Sequence, residues 1–298
     1  MLKYNYHTPV MLLEVLEYLV CNPKGIYVDC TFGGGGHTIG LLNKFNNIKI
    51  IAIDWDEEAL NRYEQLNISG KLNNRVIFIR DNFKNIKKIL SNIKIKKVDG
   101  ILVDVGLSSR QLNNLDRGFS FKANSLDMRM DNRNKITAEY VINSATKEKL
   151  ANIFYNYGEE YKSKQIAKAI TTYRKANRII TAKKLQEIIF SVKRKSNKIN
   201  SATKVFQSLR IFINKELDNL QNLLYIAPNI LNIKGRIIVI SFHSLEDRIV
   251  KYNFKQNTNN GIYKTLSKKV IRAKKIELKF NNRSRSAKMR IAECLNHL

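Results

Sequence analysis

The stretch Ile26-Tyr27-Val28-Asp29-Cys30-Thr31-Phe32-Gly33-Gly34-Gly35-Gly36-His37 decides how the rest of the chain is read. Its first five residues are a short, mostly apolar run of the kind that forms a buried strand. Beyond the glycines, Ile39, Leu41 and Leu42 continue as a helix. Upstream, Leu12, Leu13, Val15, Leu16, Leu19 and Val20 recur at helical spacing and predict an amphipathic helix. Downstream, Lys49 to Asp54 reads as a second strand. The helix after it carries Asp56, Glu57 and Glu58 at its start, favourable at the positive end of a helix dipole. Val76 to Ile79 and Asp99 to Asp104 read as a third and a fourth strand. Nearly continuous apolar strands alternating with helices imply a parallel sheet covered on both faces, an α/β fold.

That rhythm stops near Gln111. Residues 112–135 are polar and turn-rich, and residues 140–200 read as helix after helix. The α/β pattern then returns with a long helix from Thr203 to Leu231, a strand from Arg236 to Phe242 and a helix from Leu245 to Gln256. The expected organisation is one α/β domain in two parts, 1–111 and 203–298, interrupted by a mostly helical insert at 112–202.

Four consecutive glycines carry a large entropic cost on folding, and a tight turn needs only one or two. The surplus points to a ligand approaching the backbone at the carboxyl end of a strand, where sheets of this architecture bind. The dinucleotide fingerprint G-x-G-x-x-G fails, because its last position falls on Thr38 counted from Gly33 and on Ile39 counted from Gly34. No Gly-Lys-Ser/Thr follows, so a P-loop is excluded. A nucleoside without a pyrophosphate remains. Asp54 stands 18 residues after Gly36, close to the roughly 20-residue spacing at which an acid meets ribose hydroxyls. S-adenosylmethionine joins a ribose to a sulfonium and an amino group, so acids and bare backbone suit it better than NAD.

The 298 residues hold 53 Lys and Arg against 25 Asp and Glu, a net charge of +28, with 44% hydrophobic residues. That apolar share excludes a disordered chain. A composition crowded with Lys, Asn and Ile inflates positive charge everywhere, so its distribution is more informative than its total. Residues 1–60 carry a net charge of −3, from four Lys and seven acids. Residues 162–198 hold twelve Lys/Arg and one acid, and residues 264–290 hold eleven and one. Two basic stretches on a mixed chain suggest a polyanion partner, most simply nucleic acid. No apolar run reaches the roughly 18 residues of a membrane helix, and the opening Met-Leu-Lys-Tyr-Asn-Tyr-His has no apolar signal core. Three cysteines form no disulfide or zinc pattern. A soluble, cytoplasmic protein with no membrane association is expected.

Nine blocks appear in order: His7-Thr8-Pro9-Val10, Tyr27-Val28-Asp29 through His37, Asp104-Val105-Gly106-Leu107-Ser108-Ser109, Arg117-Gly118-Phe119-Ser120-Phe121, Leu126-Asp127-Met128-Arg129-Met130, Gly158-Glu159-Glu160, Phe206-Gln207-Ser208-Leu209-Arg210-Ile211, Ser241-Phe242-His243-Ser244-Leu245-Glu246-Asp247-Arg248 and Arg283-Ser284-Arg285-Ser286-Ala287. Together they resemble, end to end, the RsmH (MraW) family of bacterial small-subunit ribosomal RNA methyltransferases. The resemblance implies a class I (Rossmann-like) S-adenosylmethionine-dependent methyltransferase fold with a helical insert assigned to RNA recognition. It implies methyl transfer to the exocyclic N4 of a cytidine in the decoding centre of small-subunit ribosomal RNA, either naked or within an assembled subunit. It carries cofactor positions onto Gly35, Gly36, His37, Asp54, Phe83, Asp104 and Gln111. The chain departs from the family pattern at Arg110, at Asn200-Ser201-Ala202-Thr203-Lys204 and around Ala123-Asn124-Ser125, none of them a cofactor position.

The cytosine amine is a poor nucleophile, so a catalyst must orient it and accept its N–H groups. Pro9, Pro23 and Pro228 are the only prolines, so the Pro-Pro motif of many amino-methyltransferases is missing. In its place stands Asp104 to Ser109, with Asp104 and Ser108 as candidate pocket residues. Asp104 or a nearby backbone carbonyl accepts from N4, or Asp104 only holds the cofactor. His243, just past the strand ending at Phe242, is either a cap of the following helix or a proton acceptor or phosphate contact. Phe83 either covers the adenine or packs in the core. Arg283, Arg285, Lys288 and Arg290, with the basic stretch of the insert, are expected to contact RNA phosphates. His7, His37 and His297 show no metal-ligand spacing, so no metal is expected. A DNA amino-methyltransferase, or an RNA-binding assembly protein that kept the fold without catalysis, stays open at this point, as does the oligomeric state.

Overall fold

The computed structural model describes residues 9–193 and 200–297. His7 and the cations Arg194, Lys195 and Lys198 of the first basic stretch lie outside the described residues. The chain divides into two compact units, Met1–Gly106 with Leu217–Leu298, and Leu107–Glu216.

The first unit begins with α1 (Leu12–Tyr18), β1 (Ile26–Asp29), α2 (Gly36–Lys44), β2 (Lys49–Asp54), α3 (Glu57–Ile68), β3 (Val76–Arg80), α4 (Ile86–Asn92) and β4 (Val98–Asp104). The second unit holds α5 (Ser109–Asn113), α6 (Ala138–Ser144), α7 (Lys147–Gly158), α8 (Ser163–Tyr173), α9 (Ala182–Val192) and α10 (Thr203–Asn214). The chain continues with α11 (Glu216–Ile230) and, in the first unit, β5 (Leu231–Ser241), α12 (Ser244–Asn259), β6 (Tyr263–Thr265), α13 (Lys275–Phe280) and β7 (Lys288–Cys294).

The seven strands form one sheet in the order β3-β2-β1-β4-β5-β7-β6. β1 to β5 run parallel, and β7 is antiparallel to both β5 and β6. Alternate residues of the central strands feed two cores. Val28, Ile51, Ile53, Ile101, Val103, Ile237 and Val239 pack under α4, α11 and α12. Tyr27, Ile50, Ala52, Leu102, Ile238 and Ile240 pack with α1, α2 and residues of β7 on the other face. Both faces are buried, which is why the strands carry no polar alternation. Strand order reverses across β1 and β4, so the crevice at their carboxyl ends is the ligand position of this topology.

The unit boundaries differ from those read in the sequence. The helical unit takes in α5 at one end and α10 at the other, because α10 lies on α7. A Cβ on Gly158, the last residue of α7, would stand 2.5 Å from the Lys204 carbonyl oxygen. The single helix expected over Thr203 to Leu231 is two helices, broken where Lys215 adopts φ 50°. The strand expected from Arg236 starts at Leu231. β6 and β7 were not anticipated, and β7 runs through the second basic stretch. No helix among the described residues is long and apolar enough to cross a membrane.

Candidate functional site

The carboxyl edge of the parallel strands gathers most of the expected cofactor positions. Gly35, Gly36 and His37 follow β1, Asp54 ends β2, Phe83 follows β3 and Asp104 ends β4. Asp54 and Asp104 sit there because a parallel strand delivers its last residue to that edge, and the glycines, His37 and Phe83 because the segment after a strand starts from it.

The glycine turn is fastened at several points. Asp29, 1% exposed, accepts from the Thr38 hydroxyl at 2.7 Å and from the Thr31 amide at 3.2 Å. The Thr31 hydroxyl in turn accepts from the Asp104 amide at 2.8 Å, tying β1 to β4. Gly33 donates its amide to Asp54 Oδ2 at 2.8 Å, tying the turn to β2. Arg62 on α3 approaches the Gly34 carbonyl at 3.4 Å. Part of the demand for glycine is local. Gly33 and Gly35 have positive φ, 51° and 77°, and a Cβ on Gly35 would meet Leu66 and Phe32 at 2.9 Å. A Cβ on Gly36 would stand 3.2 Å from the Pro9 ring. Ligand approach is thus not the sole demand on these glycines.

Asp54 accepts a second amide, from Asp56, at 3.0 Å through Oδ1. Each carboxylate oxygen offers two acceptor positions, so both keep capacity for ribose hydroxyls. Burial pushes the Asp54 carboxyl up to about 7, against the pull of the Asp56 and Gly33 amides. Burial likewise pushes Asp104 up to about 6, opposed by His37. Asp29 is raised by the same cause. Three desolvated carboxyls on one sheet edge make a place where a cation is stabilised. Asp104 Oδ1 is buried with no hydrogen-bond partner, an orphan acceptor of the kind that a bound donor group would satisfy.

His37 is 6% exposed, and its ring contacts the Val10 carbonyl through Nε2 at 2.9 Å and faces Asp104 Oδ2 through Nδ1 at 3.9 Å. Phe83 opens a 3-10 turn and packs, half-buried, against the core under α4, so the packing role weighed for it is present. Gln111 and Ser108 belong to the second unit. There they form the capping box of α5: the Ser108 amide donates to Gln111 Oε1 at 2.9 Å, and the Gln111 amide to Ser108 Oγ at 3.2 Å. His243 is the N-cap of α12. Its Nδ1 receives the Glu246 amide at 3.4 Å, and its Nε2 lies 2.8 Å from the fully buried Glu246 carboxylate. That carboxylate also accepts from the Phe242 amide at 2.8 Å. This geometry is the cap weighed for His243 in the sequence.

The four cations expected on RNA divide. Arg283 is half-buried, its basicity lowered by burial and restored in part by Asp104. Arg290 Nε donates to Asp247 at 2.7 Å, and Lys288 reaches the same carboxylate at 3.3 Å. Arg285 is exposed, as are Lys268, Lys269, Arg272, Lys274, Lys275 and Lys279 before it. In the second unit Arg174 is tied to the Ile142 and Ala145 carbonyls and Lys193 to the buried Glu160, while Lys164, Lys168, Lys175 and Lys183 face solvent. Sequence reasoning quoted Asp29 and Glu246 only as motif letters and missed their work in the turns. The signal available for both was an acid next to a strand end in an otherwise apolar setting.

The family model for the MraW methylase family matches residues 4–295. The chain belongs to that family. Among known methylases, it is 59% identical over 288 residues to "Ribosomal RNA small subunit methyltransferase H" of Endomicrobium trichonymphae, covering 97% of this chain and 98% of that one. A protein of the same name from Ehrlichia canis is 44% identical, covering 95% and 98%. Among solved structures, an rRNA methylase from Streptococcus thermophilus aligns over 96% of this chain and 94% of its own, at 10% identity and a TM-score of 0.45.

Proposed function

We propose that this methylase transfers a methyl group from S-adenosylmethionine to the exocyclic N4 of a cytidine in the decoding centre of small-subunit ribosomal RNA. The observation that carries the RNA substrate is the 59% identity, over nearly the whole of both chains, to a protein named for that RNA. The cytidine and its position come from the resemblance of the nine sequence blocks. The chemistry of the sheet edge fits the reaction: desolvated acids on β1 and β2 for a cationic nucleoside, and an orphan acceptor on Asp104 for the amine that is methylated.

When bound, S-adenosylmethionine supplies a methyl group on a positively charged sulfur. The protein does the rest by placement. The turn from Gly33 to Gly36 presents backbone without side chains to the donor, and Gly35, which caps α2, makes no side-chain cap bond to its first amides. Asp54 accepts the ribose hydroxyls. Asp104, at the end of β4, accepts a hydrogen bond from the acceptor amine as its lone pair turns from the ring toward the methyl carbon. Exposed cations of both units, among them Lys164 and Lys168 on α8 and Lys275 and Lys279 on α13, contact phosphates and so position the RNA without reading its sequence.

The test is direct. Small subunits and naked rRNA lacking the modification are incubated with the protein and methyl-labelled donor, and the product nucleoside is identified by mass. N4-methylcytidine at a single decoding-centre site is expected. Label on a different base, or on DNA in preference to either RNA, would overturn the reading.

A further inference from the structure

His37 lies in the first turn of α2 with its imidazole turned into the protein. A backbone carbonyl can only accept a hydrogen bond, so the 2.9 Å contact with the Val10 oxygen places a hydrogen on Nε2. Nδ1 is then the one ring nitrogen able to gain or lose a proton, and it faces Asp104 Oδ2 at 3.9 Å. Both nitrogens are directed at protein groups. Whatever His37 offers the donor therefore comes from its backbone amide, and the imidazole is left with a different task.

We propose that His37 is a positioning residue of the methyl-transfer centre: through Nδ1 it holds Asp104 in the ionised form that takes the proton leaving the acceptor amine. The proposal rests on the role given to Asp104 above. The bookkeeping closes. The amine lone pair forms the new N–C bond, and the pair of the broken S–C bond returns to sulfur. The pair of the N–H bond then returns to nitrogen while its proton passes to the Asp104 carboxylate, which releases it to water after the product leaves. A protonated Nδ1 directs its N–H at Oδ2 and favours the carboxylate.

The surroundings are consistent with that task. Asp104 is faced by Asp29 on β1 and Glu246 on α12, which disfavour its ionisation, and by His37 on α2 and Arg283 after α13, which favour it. His37 is itself faced by Asp29, Asp104 and Glu277. An opposite charge within about 4–6 Å typically moves a carboxyl by about 1–3 pH units. At 3.9 Å the two groups are in range without a formed hydrogen bond, and such contacts often tighten when substrate binds.

The experiment titrates donor-free protein carrying carbon-13 at the aspartate carboxyls, with the Asp104 signal assigned from its absence in Asp104→Asn. The signal is expected to turn over near pH 6 in the native chain, and about one pH unit higher in His37→Gln. In the methylation assay the acidic limb of kcat should move by the same amount, while donor affinity at about pH 8.5, where Asp104 is ionised in both proteins, stays within about threefold. An Asp104 signal that ignores His37→Gln overturns the proposal, and so does an acidic limb that does not move. If His37→Gln fails to fold, nitrogen-15 spectra of the native histidine rings decide: a hydrogen on Nδ1 of His37 while Asp104 is ionised supports the proposal, and a bare Nδ1 there overturns it. The carboxyl titration needs no substrate, so its failure would leave the cytidine reading standing. Absence of methylation by the native chain would strike that reading alone.

Discussion

In the turn that follows β1, charged and polar groups point inward and find one another. Asp29 holds Thr38, Asp54 holds Gly33, and the Asp104 amide rests on Thr31. In the stretch from Lys264 to Arg290 the cations go two ways: Lys275 and Lys279 face solvent, whereas Lys288 and Arg290 close on Asp247. A parallel sheet sends the last residue of each strand to one edge, so sequence position is enough to say where Asp54 and Asp104 go. No such rule governs a run of cations. Their destinations depend on which acids the fold brings alongside, and Asp247 is far from them in sequence.

The sharpest way to break this comparison is to neutralise the carboxyl at the end of β4. Asp104→Asn keeps the shape and removes the proton acceptor. Its kcat should fall by about 10²- to 10³-fold, the range for losing one preorganised group in a transition state. Calorimetric titration should show a much smaller loss of donor affinity. Rate and affinity falling together would assign Asp104 to cofactor binding alone, the other role weighed for it.

Asp54→Asn comes next. Losing charge-assisted bonds to two hydroxyls should weaken donor affinity by about 30- to 100-fold, measured by the same titration. The effect carries a pH signature. Folding raises Asp54 to about 7 and Asp104 to about 6, so the folded state binds protons more tightly than the unfolded one. Donor-free stability therefore falls as pH rises from the ordinary carboxylate range, about 4, toward 7, and levels off above it. A cationic donor that prefers the ionised groups should recover more at the top of that window. The gain in melting temperature from saturating S-adenosylmethionine should be larger at about pH 8 than at about pH 5.5. An equal or reversed gain would mean that the acids do not face the donor. In Asp54→Asn the difference should shrink.

These two sites were legible because an apolar run ending in an acid, then a turn, then a helix is a strong local pattern. β1 to β4 lie within a residue or so of where the apolar runs place them. Less local features were hidden. β7 does alternate, with Met289 and Ile291 buried and Lys288 and Arg290 partly exposed, but its charges suit a polyanion surface as well as a strand, so the alternation alone does not decide. β6 spans three residues and carries too little pattern to detect. The break at Lys215 is invisible because Lys gives no warning of a left-handed conformation; the chain adopts it where Asn214 reaches back to the Met128 carbonyl and receives the Met130 amide, both at 2.8 Å. The glycines show the opposite error. A pattern with two causes, ligand approach and packing on Phe32, Leu66 and Pro9, was credited to one.

The smallest expected effect tests the basic stretch directly, because its two kinds of cation should answer salt differently. A cation that neutralises a phosphate releases a counterion, so log affinity for RNA falls with log salt by about 0.7 per contact on a single strand. Lys275→Gln with Lys279→Gln should therefore weaken rRNA binding and flatten its salt dependence by about 1.4, two contacts' worth. Lys288→Met should leave that slope unchanged and cost at most about 1 kcal/mol of stability, as a partly exposed ion pair does. Filter binding across a salt series reads the first effect, and denaturant unfolding reads the second. If Lys288→Met flattens the slope as steeply as the α13 pair, the Asp247 contact gives way when RNA arrives, and the two kinds of cation are one surface after all.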